Sequence, residues 1–275
     1  AMFNPAMPTK VAHVVGTSYM TSAFLLAAIA AFRLLRGSNH VYHKKALYLT
    51  LKVGFIFSVS AVLIGDLSGK YLAEYQPEKL AAAEWHFETE ENAPLILYGV
   101  LDDGEVKYAI KIPYALSILA HGVPSAEVVG LDQFPEEDTP PLYIHYLFDI
   151  MVTIGMLLLT LSAVYWIGMW RRWSFVQSRL FRWLIVIGGP LVFISLEAGW
   201  WLAEVGRQPW ILRNIMRTSE GATTSGQVPT MLVLFALLYL VLGIGSVVVL
   251  RRMFIRNPVE QEIIDRQQEK GGDIR

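Results

Sequence analysis

The chain has 275 residues, of which 54% are hydrophobic and 17% charged, with a mean hydropathy of +0.41 and a formal net charge of −1. A soluble domain usually carries about 25% charged residues, so the composition indicates an integral membrane protein. The near-zero net charge gives no reason to expect nucleic-acid binding. The absence of cysteine excludes disulfides, thiolate-held iron–sulfur clusters and cysteine nucleophiles.

Five apolar segments are long enough to cross a bilayer, and in lipid each must be helical to satisfy its own backbone. They are 11–35, 46–65, 142–169, 183–204 and 229–250. Arginines and lysines follow the first, third and fifth segments, so the positive-inside rule makes those ends cytoplasmic. The sequence therefore predicts an all-α membrane protein with its amino terminus outside and its carboxyl terminus in the cytoplasm.

This topology divides the chain into four parts. They are two transmembrane helices (1–66), an extracytoplasmic loop (67–141), three more transmembrane helices (142–256) and a polar cytoplasmic tail (257–275). A loop of this length in a compact membrane protein indicates a functional segment. Its stretch from Lys79 to Glu88 is rich in alanine and leucine and predicts a short helix.

The fourth span carries charged residues on one helical stripe. Glu197, Trp200, Trp201 and Glu204 are spaced i, i+3, i+4 and i+7, with Arg207 within reach of Glu204. A carboxylate costs roughly 2.5–3.5 kcal/mol or more at the middle of a bilayer, so such residues are rarely without a role. The stripe fits a Glu–Arg bridge with a tryptophan packing surface, a proton path, or a carboxylate that meets a cofactor whose propionate Arg207 neutralises.

Two potential heme ligands lie at the outer ends of spans. His13 is at the start of the first span, where an imidazole can bind iron or form an interfacial hydrogen bond. Met151 is near the start of the third span, where methionine is usually core filler. A His/Met pair is a known axial set for six-coordinate heme. His145 and Asp149, spaced i, i+4, share a helix face and can simply pair.

The segment from Gly199 to Trp210 carries a specific motif, Gly-Trp-x-x-x-Glu-x-Gly-Arg-Gln-Pro-Trp. With it, the chain resembles subunit I of the bacterial cytochrome bd quinol oxidases. Further matches occur in order along nearly the whole chain: Asn4-Pro5 leading to His13, Gly65-Asp66-x-Ser-Gly69, Lys79-Leu80-Ala81-Ala82 with Glu84, Ile112 to Leu116, Pro141-Leu142-Tyr143 and Ile150-Met151-Val152.

The resemblance implies roles for individual residues. His13 and Met151 match the axial ligands of a low-spin heme b, and Glu204 matches the ligand of a high-spin heme b beside heme d. Arg207 matches an arginine of that second site, and Trp200 matches an aromatic residue on the electron path between hemes. The implied cofactors are therefore two b hemes and a heme d.

The resemblance also implies that Lys79 and Glu84 belong to a quinol-oxidising loop, here of the short type. The expected activity is electrogenic oxidation of quinol at the outer face with reduction of oxygen, in the bacterial plasma membrane. The expected partners are quinol, oxygen, a second oxidase subunit and further amino-terminal helices of subunit I.

The sequence departs from the family pattern at two places. The family's first four helices, with the histidine that holds heme d, have no counterpart, and the start at Ala1 reads like the inside of a longer sequence. We therefore expect a carboxyl-terminal portion of subunit I, incomplete as an oxidase. Asp149 also stands where some relatives have an arginine two residues before the methionine.

Two other functions remain open from the sequence. Glu197, Glu204 and Arg207 could form the ion or proton path of a heme-free membrane transporter. Alternatively, the chain could be a heme-free structural subunit that only supports a partner. A reduced-minus-oxidised optical spectrum distinguishes both from a heme protein.

Overall fold

The fold is described from a computed structural model, which covers residues 5–102, 104–256, 258 and 261–264. The chain separates into two compact units, Ala1–Gly221 and Ala222–Arg275, and each is described by itself. Asn4 of the family motif lies outside the described residues, as does most of the predicted tail at 257–275.

Seven α-helices occur in the described part of the chain. The first unit contains α1 (Met7–Leu35), α2 (Val41–Tyr75), α3 (Pro77–Glu84), α4 (Ala115–His121), α5 (Ile144–Arg171) and α6 (Arg179–Val205). The second contains α7 (Val228–Arg256). Helices α1, α2, α5, α6 and α7 are long and apolar enough to cross a membrane, which confirms the predicted set of five spans.

Helix α2 is longer than predicted, because it continues to Tyr75 instead of ending near residue 65. The polar residues that suggested its end pair within the helix: Lys70 Nζ is 2.5 Å from Asp66 Oδ2 at i, i+4 spacing. The helix ends at Tyr75 because Gln76 precedes a proline, and the residue before a proline disfavours helical geometry. The predicted loop boundary at 66/67 therefore lies inside α2.

The membrane core of the first unit is built from α1, α2, α5 and α6. It includes a fully buried large apolar side chain from each of the four helices: Phe24, Leu51, Leu158 and Ile185. Small residues bring the backbones together where α1 meets α6, since a Cβ on Gly189 would lie 2.8 Å from Ala28 Cβ. Close approach through small residues is the usual packing mode of membrane helices.

This contact gives a stability prediction. Gly189→Ala is expected to destabilise the unit by about 1–3 kcal/mol, because the added methyl group has no room against Ala28. Gly155→Ala, on α5, is the matched control, because no atom of the described residues lies within 4 Å of the position that its added methyl group would take. Thermal unfolding in detergent measures both. Equal unfolding temperatures for the two variants would contradict the packing.

The extracytoplasmic segment between α2 and α5 contains short strands that were not predicted from the sequence. Strands β2 (Leu95–Leu97) and β5 (Ile110–Ile112) pair antiparallel, as do β3 (Val100–Asp102) and β4 (Glu105–Lys107). Together they form a two-stranded ribbon. Strands β1 (Glu90–Glu91) and β6 (Glu127–Val128) pair near its base. In the sequence, the residues between β3 and β4 are Asp103-Gly104, a dipeptide that is a typical hairpin signal.

Helix α3, at the start of the loop, packs against the rest of the loop on one side and against the membrane helices on the other. Leu80 joins a loop cluster with Leu116, whereas Ala82 and Ala83 join a cluster with Ile144 of α5 against which Leu202 of α6 packs. Since both sides of this short helix are buried, its side chains have fixed positions relative to α5 and α6.

Candidate functional site

Glu84 is the most deeply buried carboxylate among the described residues of the loop, with 0% of its surface exposed. It is the last residue of α3, which was predicted to reach residue 88. The helix ends because Trp85 adopts a left-handed conformation with φ of 50°. Neither carboxylate oxygen has a hydrogen-bond partner in the part of the chain that the structure describes. Burial, followed by the negative charge of Asp149, raises the pKa of Glu84 to about 8.

A polar network from α5 surrounds the end of α3. His145 Nδ1 lies 2.7 Å from Ala83 O, and because a carbonyl oxygen can only accept, Nδ1 carries the hydrogen. The Trp85 ring stacks on His145 with centroids 4.0 Å apart. Trp85 Nε1 also donates to Leu142 O at 2.8 Å. Residues 83–85 are thus held against the first turn of α5.

Asp149 joins the same network to the β ribbon. Its Oδ2 accepts a hydrogen bond from the backbone N–H of Tyr98 at 2.7 Å and lies 3.3 Å from His145 Nε2. The Tyr98 hydroxyl is 2.6 Å from Thr153 Oγ1, one turn further along α5. His145 and Asp149 are therefore close enough for an ion pair when the imidazole is doubly protonated, and the aspartate at this position ties the loop to α5.

Lys79, at the other end of α3, contacts the end of α6. Its ammonium donates to Ala203 O at 3.2 Å, and its Cε lies 2.8 Å from where a Cβ on Gly206 would be. A lysine charge at a helix carboxyl terminus satisfies free carbonyls and complements the helix dipole. Burial first, and then the positive charges of Lys10 and Arg207, lower the pKa of Lys79 to about 8.

Glu204 and Arg207 form the ion pair that their spacing predicts. Helix α6 ends at Val205, yet Arg207 Nη2 still reaches Glu204 Oε1 and Oε2, at 3.0 and 3.1 Å. Both side chains are 50% exposed. Trp200 and Trp201 are exposed as well. Within the first unit, the Glu204–Arg207 pair and both tryptophans are therefore exposed. The tryptophans do not pack around a buried ion pair.

His13 and Met151 belong to α1 and α5, and both helices contact α6. His13 Nδ1 is buried and has no hydrogen-bond partner among the described residues. Met151 is fixed against α6, since Ser195 Oγ donates to its carbonyl oxygen at 3.0 Å. Its sulfur lies 2.8 Å from where a Cβ on Gly199 would be, so a larger residue at 199 would displace the thioether.

The donor set agrees with heme rather than with a bare metal ion. The described residues contain no group of three or more histidine, aspartate or glutamate side chains that could hold a metal. Heme iron takes four ligands from its porphyrin, so a single imidazole, thioether or carboxylate suffices at each axial position. An unpaired imidazole nitrogen and an exposed carboxylate with an arginine beside it satisfy this requirement.

A hairpin after α6, formed by β7 (Trp210–Leu212) and β8 (Met216–Arg217), was also not predicted. Arg213 pairs with Glu78 of α3 at 2.7 Å, and Arg217 pairs with Asp138 at 2.7 Å. No local spacing signals these contacts, because the partners are far apart in the chain. The sequence itself offers only a concentration of acidic residues in the first loop and of arginines in the second.

Comparisons with known proteins agree with this architecture. A family model described as cytochrome bd terminal oxidase subunit I matches residues 1–258. The chain is 41% identical over 272 residues to a protein of Bacillus subtilis (strain 168) named as a cytochrome bd menaquinol oxidase subunit I. This alignment covers 96% of this chain and 61% of that protein.

More distant and structural relatives give the same result. The cytochrome bd-II ubiquinol oxidase subunit 1 of Escherichia coli (strain K12) is 25% identical over 98% of this chain and 66% of its own length. The structure of the bd oxidase from Geobacillus thermodenitrificans superposes with a TM-score of 0.87 at 67% identity, over 94% of this chain and 60% of that one.

The chain thus spans about three fifths of the length of the relatives it matches. The match extends over nearly all of its own residues and includes the segments that contain His13, Glu84, Met151 and Glu204. The family uses heme cofactors, in agreement with the donor set. The chain belongs to the cytochrome bd terminal oxidase subunit I family.

Proposed function

We propose that this chain forms the heme-bearing part of a quinol:oxygen oxidoreductase in which quinol is oxidised at the loop between α2 and α5. The observation that carries the proposal is the position of α3, which packs against the helices that bear Met151 and Glu204. Its half-buried Lys79 contacts the end of α6, and its last residue, Glu84, is fully buried. The proposed sites of electron donation and electron acceptance would thus belong to one compact unit.

The proposed orientation puts this loop on the outer face of the bacterial plasma membrane. Arg33 and Arg36 lie at the end of α1, and Arg171 and Arg172 at the end of α5, which is the opposite end of the bundle from the loop. The positive-inside rule favours the cytoplasm for those ends. Protons from quinol would then leave on the outside.

Glu84 is proposed to receive a quinol proton. Oxidation of a quinol to a quinone releases two electrons and two protons, so a base must be available at the loop. At neutral pH a carboxyl group with a pKa of about 8 is mostly protonated, so Glu84 would accept a quinol proton after it has released its own. Such a pKa, close to the working pH, is the most effective one for a group that takes up and releases protons.

Lys79 is proposed to set the electrostatics of the same site. Its side chain lies between the loop and the end of α6, where the Glu204–Arg207 pair begins. With a pKa of about 8, Lys79 can donate hydrogen bonds in both its charged and its neutral form, and it loses its positive charge as the pH rises above about 8. We expect it to hold α3 against α6 and to favour the anionic form of a bound quinol.

The heme sites are proposed as follows. His13 and Met151 would hold a low-spin heme b, and Glu204 would hold a high-spin heme b. Arg207 would compensate negative charge at the Glu204 site, and Trp200 would belong to the electron path between the hemes. When bound, these groups supply one-electron transfer and oxygen reduction. Heme d, the second oxidase subunit and the remaining helices of subunit I are proposed to complete the site from outside these 275 residues.

The proposed function is tested on the oxidase assembled with this chain. A reduced-minus-oxidised spectrum should contain b-type α bands, and quinol should drive oxygen consumption. Menaquinol and ubiquinol are both assayed, because the relatives are named for one or the other. An assembled complex without heme would contradict the proposal and favour a transporter or a structural subunit.

Glu84→Gln gives a prediction with a defined pH dependence. The folded-state pKa of about 8 exceeds the ordinary value of 4.5, so folded protein retains a proton that unfolded protein has lost. The free energy of unfolding therefore falls as pH rises through this interval and is level above it. The glutamine variant lacks this contribution, and its quinol oxidation should fall at least about 100-fold.

Apparent unfolding temperatures of the detergent-solubilised oxidase, recorded at several pH values, measure the effect. Glu127→Gln, at an exposed carboxylate in β6, is the control and should keep the pH slope of the original protein. Identical slopes for all three proteins would show that Glu84 is ionised at neutral pH.

A further inference from the structure

Arg213 occupies the junction between α2 and α3. One end of its guanidinium, Nη1, contacts the carbonyl oxygen of Tyr75, the last residue of α2. The other end, Nη2, donates to Glu78 Oε2 at 2.7 Å, in the first turn of α3. A single side chain from the hairpin after α6 thus contacts both helices where the chain turns at Gln76.

Both contacts follow from the electrostatics of helix ends. The last carbonyls of a helix lack internal partners and favour a cation, whereas the first turn favours a carboxylate. The planar guanidinium can serve two acceptors at once, which a lysine ammonium on a flexible stem does less well. Arg213 therefore fixes the angle at which α3 leaves α2.

Glu78 depends on this partner. It is 8% exposed, and burial raises its pKa although Arg213 opposes the rise. The Arg213 side chain is 39% exposed, so only the Glu78 side of the pair is buried. Removing Arg213 leaves this buried carboxylate without its cation, at a cost larger than the net contribution of the pair. Loss of Arg213 is therefore expected to shift the first turn of α3 and not merely to delete a surface contact.

The first turn of α3 also determines the position of the proposed quinol-site residues. Lys79 follows Glu78 directly, and Glu84 ends the same eight-residue helix. At the far end of the loop, Arg217 of the same hairpin pairs with Asp138 at 2.7 Å. The hairpin therefore contacts both ends of the loop, and its start lies six residues after Glu204.

We propose that Arg213 is a positioning residue of the quinol site. In this proposal the hairpin at 210–217 contacts both ends of the loop and so holds Lys79 and Glu84 in position against α5 and α6. This inference rests on the proposed function, and it assigns Arg213 a role through Glu78 and α3 and not in the chemistry. Its effect should therefore appear in quinol binding and not in the heme ligands.

The experiment uses the assembled oxidase, with rates expressed per heme. Arg213→Gln should raise the KM for quinol about tenfold, with kcat changed less than about twofold and the reduced-minus-oxidised spectrum unchanged. Arg213→Lys, which keeps the charge but not the two-acceptor geometry, should have an intermediate KM. Lys107→Gln is the control, because it breaks an exposed ion pair with Asp102 in the same loop.

Charge exchange separates positioning from a general loss of structure. Arg213→Glu alone should raise the KM further than Arg213→Gln. Arg213→Glu combined with Glu78→Arg should recover only part of this loss, because the exchanged pair restores the ion pair but not the contact with the Tyr75 carbonyl oxygen. A KM for Arg213→Gln within about twofold of the Lys107→Gln control would overturn the inference, and so would a double variant no better than Arg213→Glu. A parent oxidase with heme and no quinol oxidation would instead overturn the proposed function.

Discussion

His13→Ala is expected to remove the low-spin b-type α band from the reduced-minus-oxidised spectrum of the assembled oxidase. The imidazole is one of two proposed axial ligands, and alanine cannot replace it. Met151→Leu keeps the volume of the side chain but removes the sulfur, so the same band should be lost or converted to a high-spin form. Quinol-driven oxygen consumption should fall at least about 100-fold in both variants.

Met156→Leu is the matched control for these variants. Met156 lies five residues further along α5 and is exposed, so its replacement tests the chemistry of a methionine substitution without affecting the proposed ligand. Its spectrum and activity should equal those of the parent oxidase. An unchanged α band in both His13→Ala and Met151→Leu would show that the low-spin heme is held elsewhere.

Glu204→Gln is expected to abolish oxygen reduction while leaving the low-spin heme reducible by quinol. The amide keeps the size of the side chain but is a weak iron ligand and leaves Arg207 without its carboxylate partner, now 3.0 Å away. Turnover should fall at least about 100-fold. Stopped-flow spectra with quinol should still record reduction of the His13/Met151 heme, because that site lies on other helices.

Arg207→Gln tests the charge partner separately. It leaves the Glu204 carboxylate in place, so the high-spin heme should remain bound with altered potential and reduced turnover. Glu127→Gln again serves as the exposed-carboxylate control. The transporter alternative predicts the opposite pattern, in which Glu197, Glu204 and Arg207 variants change ion flux while every heme band is unaffected or absent from the start.

The interior of the loop could be predicted only in part. The alanine-rich stretch predicted a helix near Lys79, and α3 is there, but the left-handed Trp85 that ends it gave no clear sequence signal. The ribbon was missed although Asp103-Gly104 is a known hairpin dipeptide, because its strands are only three residues long. Short strands carry too few alternating residues to define a pattern.

The amino-acid sequence by itself determined the five spans, the family and the Glu204–Arg207 pair. Each depends on residues close together in the chain: a run of apolar side chains long enough for a bilayer, a contiguous motif, and an i, i+3 spacing. Such local features do not depend on distant parts of the chain. A helix in lipid, for example, must satisfy the hydrogen bonds of its own backbone.

Only the tertiary structure decided how the candidate sites are joined. The Lys79 contact with Ala203 closes a separation of 124 residues, and the Arg213 contact with Tyr75 closes one of 138. Neither separation has a periodicity that could signal it. These contacts arise because α3 packs against α5 and α6, which brings the end of α6 and the hairpin after it beside the quinol loop.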